Sequence, residues 1–214
     1  YPERSHPERE YSFHHVLTQA AVYAALPQPR RGEIHGQTGA ALEQLYAANL
    51  APYLEQLAYH YEQSANDTKA IVYLVQAGQK SQRAYLNQEA LAYFNRALAR
   101  SATLADQADP TWQLASLRGL GEVYAALGNL SEAEPPLRQA MTLAADLGLP
   151  PTEQVRLYFP LCHLYRWLGR FEELRRVGEQ GLTHLGDDAA SGEAVMMLAF
   201  LAAGAYLTGR RRQY

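Results

Sequence analysis

The chain has 214 residues and a formal net charge of −3, with 48% hydrophobic and 19% charged residues. This balance is typical of a folded protein, and the lack of a basic excess disfavours a protein that wraps a nucleic-acid backbone. The single cysteine, Cys162, excludes an intrachain disulfide, so we expect a reducing, cytoplasmic setting.

The front of the chain, residues 1–47, is predicted to be separate from the remainder. An alternating segment that predicts one short N-terminal strand comprises Tyr11, Phe13 and His15. A helix is predicted to begin near Val16 and to break at the sequence PQP. A second helix then leads into the next segment, residues 48–214.

From residue 48 onward, a helical hairpin pattern recurs. The first helix carries a Leu followed by a small residue and then a Tyr, and the second carries paired small residues. The first copy consists of Leu57, Ala58, Tyr61 and, in its second helix, Ala70. Ala90 repeats the second-helix position soon after Ala70. One helix, over about residues 68–85, is therefore predicted to end one hairpin and begin the next.

The pattern is most complete over residues 117–148. Its repeat positions are Leu120, Gly121, Tyr124, Ala133 and Ala140. Gly128 and Asn129 suit the turn between the two helices, since both tolerate left-handed backbone angles. Pro135 and Pro136 lie near the start of the second helix, where we expect a kink or a late helix start.

A further copy lies about 40 residues later. It carries Leu161, Cys162 and Tyr165, with Cys162 at the small-residue position, so this cysteine is predicted to pack rather than react. The apolar run over residues 194–207 is shorter than the roughly 20 residues of a membrane span. We therefore expect a buried helix there and no membrane partner.

These offsets resemble the tetratricopeptide repeat. The resemblance implies an all-α fold: a right-handed superhelix of antiparallel helix hairpins whose first helices line a concave wall. The family's period is about 34 residues, so the longer spacing here implies longer helices. The repeat array is expected to be truncated at its C-terminal end.

The order of segments at the front resembles the junction between a winged helix and a repeat sensor in bacterial STAND-class signalling ATPases, the LuxR-type and cyclase-linked regulators among them. The residues that carry this resemblance are Phe13, His15, Leu17, Tyr23, Leu26, Arg30, Arg31, His35, Ala41, Leu42 and Glu43. The chain has no GxxxxGK[ST] loop, so it is not itself the ATPase. The resemblance implies an upstream nucleotide-binding module and oligomerisation on activation.

Candidate chemistry is sparse. The seven histidines are spread over separate segments without cysteine partners at metal-ligand spacing, so no metal site is predicted. No nucleophile with a base, and no pair of carboxylates, stands out. We expect neither enzymatic activity nor a cofactor.

A basic and aromatic stripe is predicted on the concave wall that the tetratricopeptide resemblance implies. Its residues are Arg156, Phe159, His163, Arg166, Arg170, Tyr206 and Arg210. Projection of the earlier copies gives Arg118, Glu122 and Asn129, and then Glu55, Tyr59 and Glu62. Guanidinium groups beside aromatic faces suit carboxylates, phosphates and extended peptides. The alternative is a solvated helix face without a ligand.

The first hypothesis for function is therefore a non-catalytic sensor module that binds a protein, peptide or small ligand and controls an absent nucleotide-binding domain. A scaffold for protein–protein interaction, without a switching role, is the alternative. A nucleic-acid-reading helical repeat is disfavoured by the net charge of −3.

Overall fold

Helices joined by short turns make up most of the protein. The computed structural model describes residues 2–4, 10–11, 16–104, 107–186 and 191–211. The helices are α1 (Val16–Ala25), α2 (Gln28–Leu45), α3 (Leu54–Glu62), α4 (Asp67–Arg83), α5 (Asn87–Leu104), α6 (Pro110–Ala126), α7 (Leu130–Asp146), α8 (Pro151–Arg156), α9 (Phe159–Trp167), α10 (Phe171–Leu185) and α11 (Gly192–Arg211), and a 3₁₀ turn over Ala51–Tyr53 precedes α3. The predicted all-α fold class is confirmed.

Two short strands precede the helices. Pro2–Arg4 (β1) pairs antiparallel with Glu10–Tyr11 (β2). Of the three residues predicted to form a strand, Tyr11 lies in β2. The other two, Phe13 and His15, lie outside the described residues.

The chain divides into two compact units, residues 1–70 and 71–214, with the division inside α4. In the first unit α2 packs against α3. Gly39 of α2 makes this approach feasible, because a Cβ atom there would lie 2.9 Å from the ring of Tyr61. The buried ring of Tyr61 thus occupies the space next to Gly39 that a larger side chain would fill, which allows close packing of the two helices.

In the second unit, consecutive helices pack in the order that a helical repeat predicts. The ring of Phe94 in α5 is completely buried and lies against Gly78 and Gly119. Gly121 of α6 plays the same part for Leu137 of α7, since a Cβ atom there would lie 2.3 Å from Cγ of Leu137. The small residues therefore set how closely the helices approach one another.

The predicted repeat positions are buried almost throughout. Those with at most 5% of their surface exposed are Leu57, Ala58, Tyr61, Ala70, Ala90, Leu120, Ala133, Ala140, Leu161, Cys162 and Tyr165. Gly121 is also buried, and Tyr124 is half-buried. The predicted shared helix over residues 68–85 is α4. Of the two alternatives expected at Pro135 and Pro136, a kink or a late helix start, the late start is wrong, because α7 begins at Leu130 and both prolines lie within it.

Four helices of the second unit end in one kind of turn. The turns after α6, α7 and α9 place Gly128, Gly148 and Gly169 in the left-handed region, with φ of 75°, 63° and 70°. In each, the amide of the glycine donates to the carbonyl three residues earlier, and the next amide donates five residues back. This pattern is the Schellman motif. The turn after α4 has the same two hydrogen bonds, but Tyr85 stands in place of glycine.

The last helix, α11, covers α10 with one of its faces. Ala194, Met197 and Phe200 are buried, and Met197 lies against Gly181 of α10. The other face is exposed, which differs from the fully buried helix that the apolar run predicted: half of the surface of Leu198 is open. Across the part of the chain that the structure describes, no helix is both long and apolar enough to cross a membrane.

Candidate ligand-binding groove

Two adjoining cavities in the second unit form one groove. The first, of about 720 Å³, lies between the end of α4, α6 and α8, and the second, of about 830 Å³, lies between α6 and α9. Both are lined by Arg118, Glu122 and Arg156, so the two cavities adjoin along these residues. We call this surface the groove, and its two parts the α4 end and the α9 end.

The middle of the groove is built on α6. Arg118 and Glu122 lie one turn apart, and Nε of Arg118 donates to Oε1 of Glu122 at 2.6 Å. The second carboxylate oxygen of Glu122 accepts from Nε2 of Gln82 at 2.9 Å. These contacts hold the Glu122 side chain between α4 and α6, so a polar network lines the middle of the groove.

Arg156 links the groove to the last helix. Its Nε and Nη2 both donate to Oε1 of Glu193, at 2.9 and 2.6 Å, which joins α8 to α11. The same contact holds the pKa of Glu193 below its ordinary value. The Arg156 side chain nevertheless remains 55% exposed, and it lines both parts of the groove.

The α9 end is the apolar part of the groove. Phe159 and His163 lie one turn apart on α9, and Phe200 of α11 packs behind both, with ring centroids 6.1 and 4.9 Å away. Burial, and secondarily the charge of Arg166, lower the pKa of His163, which favours its neutral form. Trp167 completes this end, with 81% of its surface exposed.

The groove has an excess of positive charge. Four arginines and two glutamates line it: Arg83, Arg118, Arg156, Arg166, Glu122 and Glu153. Within the described residues, Arg83 and Arg166 make no hydrogen bond or ion pair, whereas the other two arginines are paired. The guanidinium groups of Arg83 and Arg166 can therefore receive carboxylates or phosphates.

The structure brings together four of the seven residues predicted for the concave wall. Arg156, Phe159, His163 and Arg166 all line the α9 end. The earlier-copy residues Arg118 and Glu122 lie in the same groove, whereas Asn129 stands at the start of α7, where its side chain accepts from the hydroxyl of Ser131.

The remaining predicted wall residues lie elsewhere. Arg170 lines a separate cavity of about 290 Å³, where it pairs with Glu173 at 2.6 Å and lies over the ring of Tyr165. Tyr206 is exposed on α11 and lines neither part of the groove. Arg210 belongs to α11, but its side chain is outside the described part of the chain.

The groove residues that were not predicted include Gln82, Arg83, Tyr85, Glu153 and Trp167. A signal for Tyr85 existed in the sequence, because alignment of the turns places it where Gly128 and Gly169 stand. No comparable signal indicated that Trp167 lines the groove, because an apolar residue in a repeat helix is ordinarily part of the core.

A histidine pair in the first unit was also not predicted. Nδ1 of His35 lies 2.9 Å from Nδ1 of His60, and Nε2 of His35 lies 3.0 Å from the hydroxyl of Tyr23. Tyr59, predicted for the groove wall, instead packs edge-on against His35 with ring centroids 5.5 Å apart. The described residues contain no cluster of three or more His, Cys, Asp or Glu side chains that could hold a metal ion.

Comparison with known proteins gives no family assignment. No protein-family model matches the chain, and no curated protein matches it at significant similarity. The groove, its charges and its exposed aromatic rings are therefore the features from which a function can be inferred.

Proposed function

We propose that this chain is a non-catalytic binding module that takes an extended peptide or protein segment in the groove. The observation that carries the proposal is the combination, along the groove, of exposed aromatic rings with the guanidinium groups of Arg83 and Arg166, which are unpaired among the described residues. Arginine binds carboxylates through two parallel hydrogen bonds, and it also stacks on planar groups. An extended segment fits such a surface better than a compact ligand, because the groove continues from α4 to α9.

The more specific proposal is a sensor region of a STAND-type signalling ATPase. It is supported by the resemblance of the front segments, whose matching residues run from Phe13 to Glu43 in the sequence, to the junction that precedes the repeats in that family. In this role the peptide would bind one arrangement of the longer protein better than another. Only such differential binding can shift the equilibrium of an attached nucleotide-binding module.

The binding role is tested by charge reversal with a matched control. Random dodecapeptides displayed on phage are selected on the full chain, and the affinity of selected peptides is measured by fluorescence anisotropy. Arg166→Glu should raise the dissociation constant at least about tenfold, since it replaces a groove cation by an anion. Arg170→Glu reverses a charge outside the groove and should leave the affinity within about twofold.

Equal losses of affinity in the two variants, or no loss in Arg166→Glu, would contradict the assignment of binding to the groove.

The sensor role is tested in the gene itself. It requires a GxxxxGK[ST] loop upstream and a change of nucleotide exchange on that module when a selected peptide is added. Peptide binding without either would favour the scaffold role.

A further inference from the structure

Tyr85 has a backbone conformation that the equivalent turns of the second unit leave to glycine. Its φ is 59°, and it is the non-glycine residue with positive φ among the described residues. Its amide donates to the carbonyl of Gln82 at 3.0 Å, and the next amide donates to Ser81 at 2.9 Å. The turn is therefore built as in the glycine cases, and nothing in its hydrogen bonding requires a tyrosine.

A tyrosine in this turn makes the folded state less stable than a glycine would. A side chain in the left-handed region brings Cβ close to the following carbonyl oxygen, which glycine avoids. A large aromatic residue could offset this cost by burial, but 86% of the surface of Tyr85 is exposed. Residues held in sparsely populated conformations without a stability gain are found preferentially at binding and catalytic sites.

The location of Tyr85 in the groove also points to a binding role. Tyr85 lines the α4 end of the groove, as does Arg83, which has no polar partner within the described residues. The α9 end repeats this arrangement, with the exposed ring of Trp167 next to Arg166. Each end of the groove is therefore lined by an exposed aromatic residue and by a guanidinium group that has no polar partner within the described residues.

We propose that Tyr85 and Arg83 form a terminal binding subsite for an acidic peptide segment, and that the left-handed turn serves to present the tyrosine ring to this ligand. The inference rests on the proposed peptide-binding function and identifies the class of peptide: an extended segment with carboxylates near both ends and an apolar or aromatic side chain beside each. Arg83 and Arg166 would receive the carboxylates, while Tyr85 and Trp167 would cover the flanking side chains.

The test uses the same phage-displayed dodecapeptide selection on the full chain, followed by anisotropy titrations and thermal denaturation. Selected peptides should be enriched in Asp, Glu and aromatic residues. Tyr85→Gly should raise their dissociation constant at least about tenfold. The same variant should keep or raise the melting temperature, by up to about 4 °C, because glycine fits the turn without strain.

Two further variants keep the outcome interpretable. Tyr85→Asn removes the ring but tolerates the left-handed conformation, so it should weaken binding as Tyr85→Gly does. Gly148→Tyr places a tyrosine in an equivalent turn whose glycine does not line the groove, and it should lower the melting temperature without changing peptide affinity.

These measurements distinguish an absent Tyr85 subsite from an absent peptide-binding function. If no peptide is selected, or if only a small molecule binds, the peptide-binding function is wrong. If peptides bind and depend on Arg166 but bind equally well to Tyr85→Gly, the subsite is wrong while the groove stands. Selection of basic or neutral peptides would also overturn the acidic class.

Discussion

Nδ1 of His35 lies 2.9 Å from Nδ1 of His60, so the two rings share a single hydrogen bond in the first unit. One ring must donate and the other must accept, and the hydroxyl of Tyr23 is 3.0 Å from the remaining nitrogen of His35. Charging both rings would leave two donors facing each other. The other groups around the pair are Tyr59 and the guanidinium group of Arg31, which lies over the ring of Tyr23.

The pair predicts a loss of stability in mild acid. Burial lowers the pKa of His35, and burial together with the neighbouring His35 lowers the pKa of His60. Below the ordinary histidine pKa of about 6.5, the unfolded chain binds protons that the folded chain does not. The free energy of unfolding should therefore fall as pH drops through about 6.5, by no more than about 1.4 kcal/mol per pH unit for each histidine.

Urea denaturation at a series of pH values measures this slope. His60→Asn should flatten it, whereas His184→Asn, which changes an exposed histidine, should not. His163 also has a lowered pKa and contributes to the slope of every variant. The test therefore compares the slope of each variant with that of the unmodified protein. A slope unchanged by His60→Asn would show that the pair does not govern the acid response.

Gly121 predicts a steric limit between α6 and α7. Gly121→Ala would place Cβ 2.3 Å from Cγ of the completely buried Leu137, so the side chain or the helices must shift. The variant should lose about 1–3 kcal/mol of unfolding free energy in urea denaturation. Gly192→Ala is the control, because no heavy atom lies within 4 Å of its Cβ position. A Gly121→Ala protein as stable as this control would contradict the packing.

In the first unit, Glu43 of α2 contacts Tyr61 of α3 and Lys69 of α4. Its Oε2 accepts from the hydroxyl of Tyr61 at 2.7 Å and from Nζ of Lys69, and the contact with Lys69 raises the pKa of that lysine. Glu43→Gln should cost about 1 kcal/mol of unfolding free energy, because the lysine is 42% exposed and solvent weakens the pair.

The control for Glu43→Gln is Glu33→Gln, which removes an exposed pair with Arg30. This change should cost less than about 0.5 kcal/mol in the same denaturation assay. Equal costs in the two variants would mean that the Glu43 network does not contribute beyond an ordinary surface pair.

Cys162 predicts an unreactive thiol. It is completely buried, its Sγ lies 3.8 Å from Sδ of Met197, and burial raises its pKa to about 12. At pH 8 the folded protein should react with an aromatic disulfide reagent at least about a hundredfold more slowly than the urea-unfolded chain. Rapid reaction of the folded protein with one equivalent of reagent would contradict the burial.

Helical spacing was sufficient to predict the repeat positions. Leu161, Cys162 and Tyr165 are buried together because steps of one and three residues keep side chains on one face of a helix. The tetratricopeptide resemblance pointed to Arg156, Phe159 and Arg166 as wall residues, and all three line the groove. Arg170, predicted for the same wall, lines a separate cavity; it follows the turn at Gly169, where the helical period no longer fixes the direction of a side chain.

The contacts that spacing could not predict depend on how separate helices are rotated against one another. His35 and His60 belong to α2 and α3, and no periodicity within either helix brings their rings together. The exposed ring of Trp167 results from the end of α9 facing the groove, which again depends on its neighbours. Tyr85 differs in that its turn could have been predicted from the aligned glycines.

Ligand binding in the groove of the second unit is the proposal on which the others depend. Hydrogen exchange, followed by mass spectrometry on the full chain with and without a selected dodecapeptide, is its sharpest test. Protection is expected at the ends of α4 and α6 and along α8 and α9. Protection confined to α7 and α10, which carry the separate cavity around Arg170, would contradict binding in the groove.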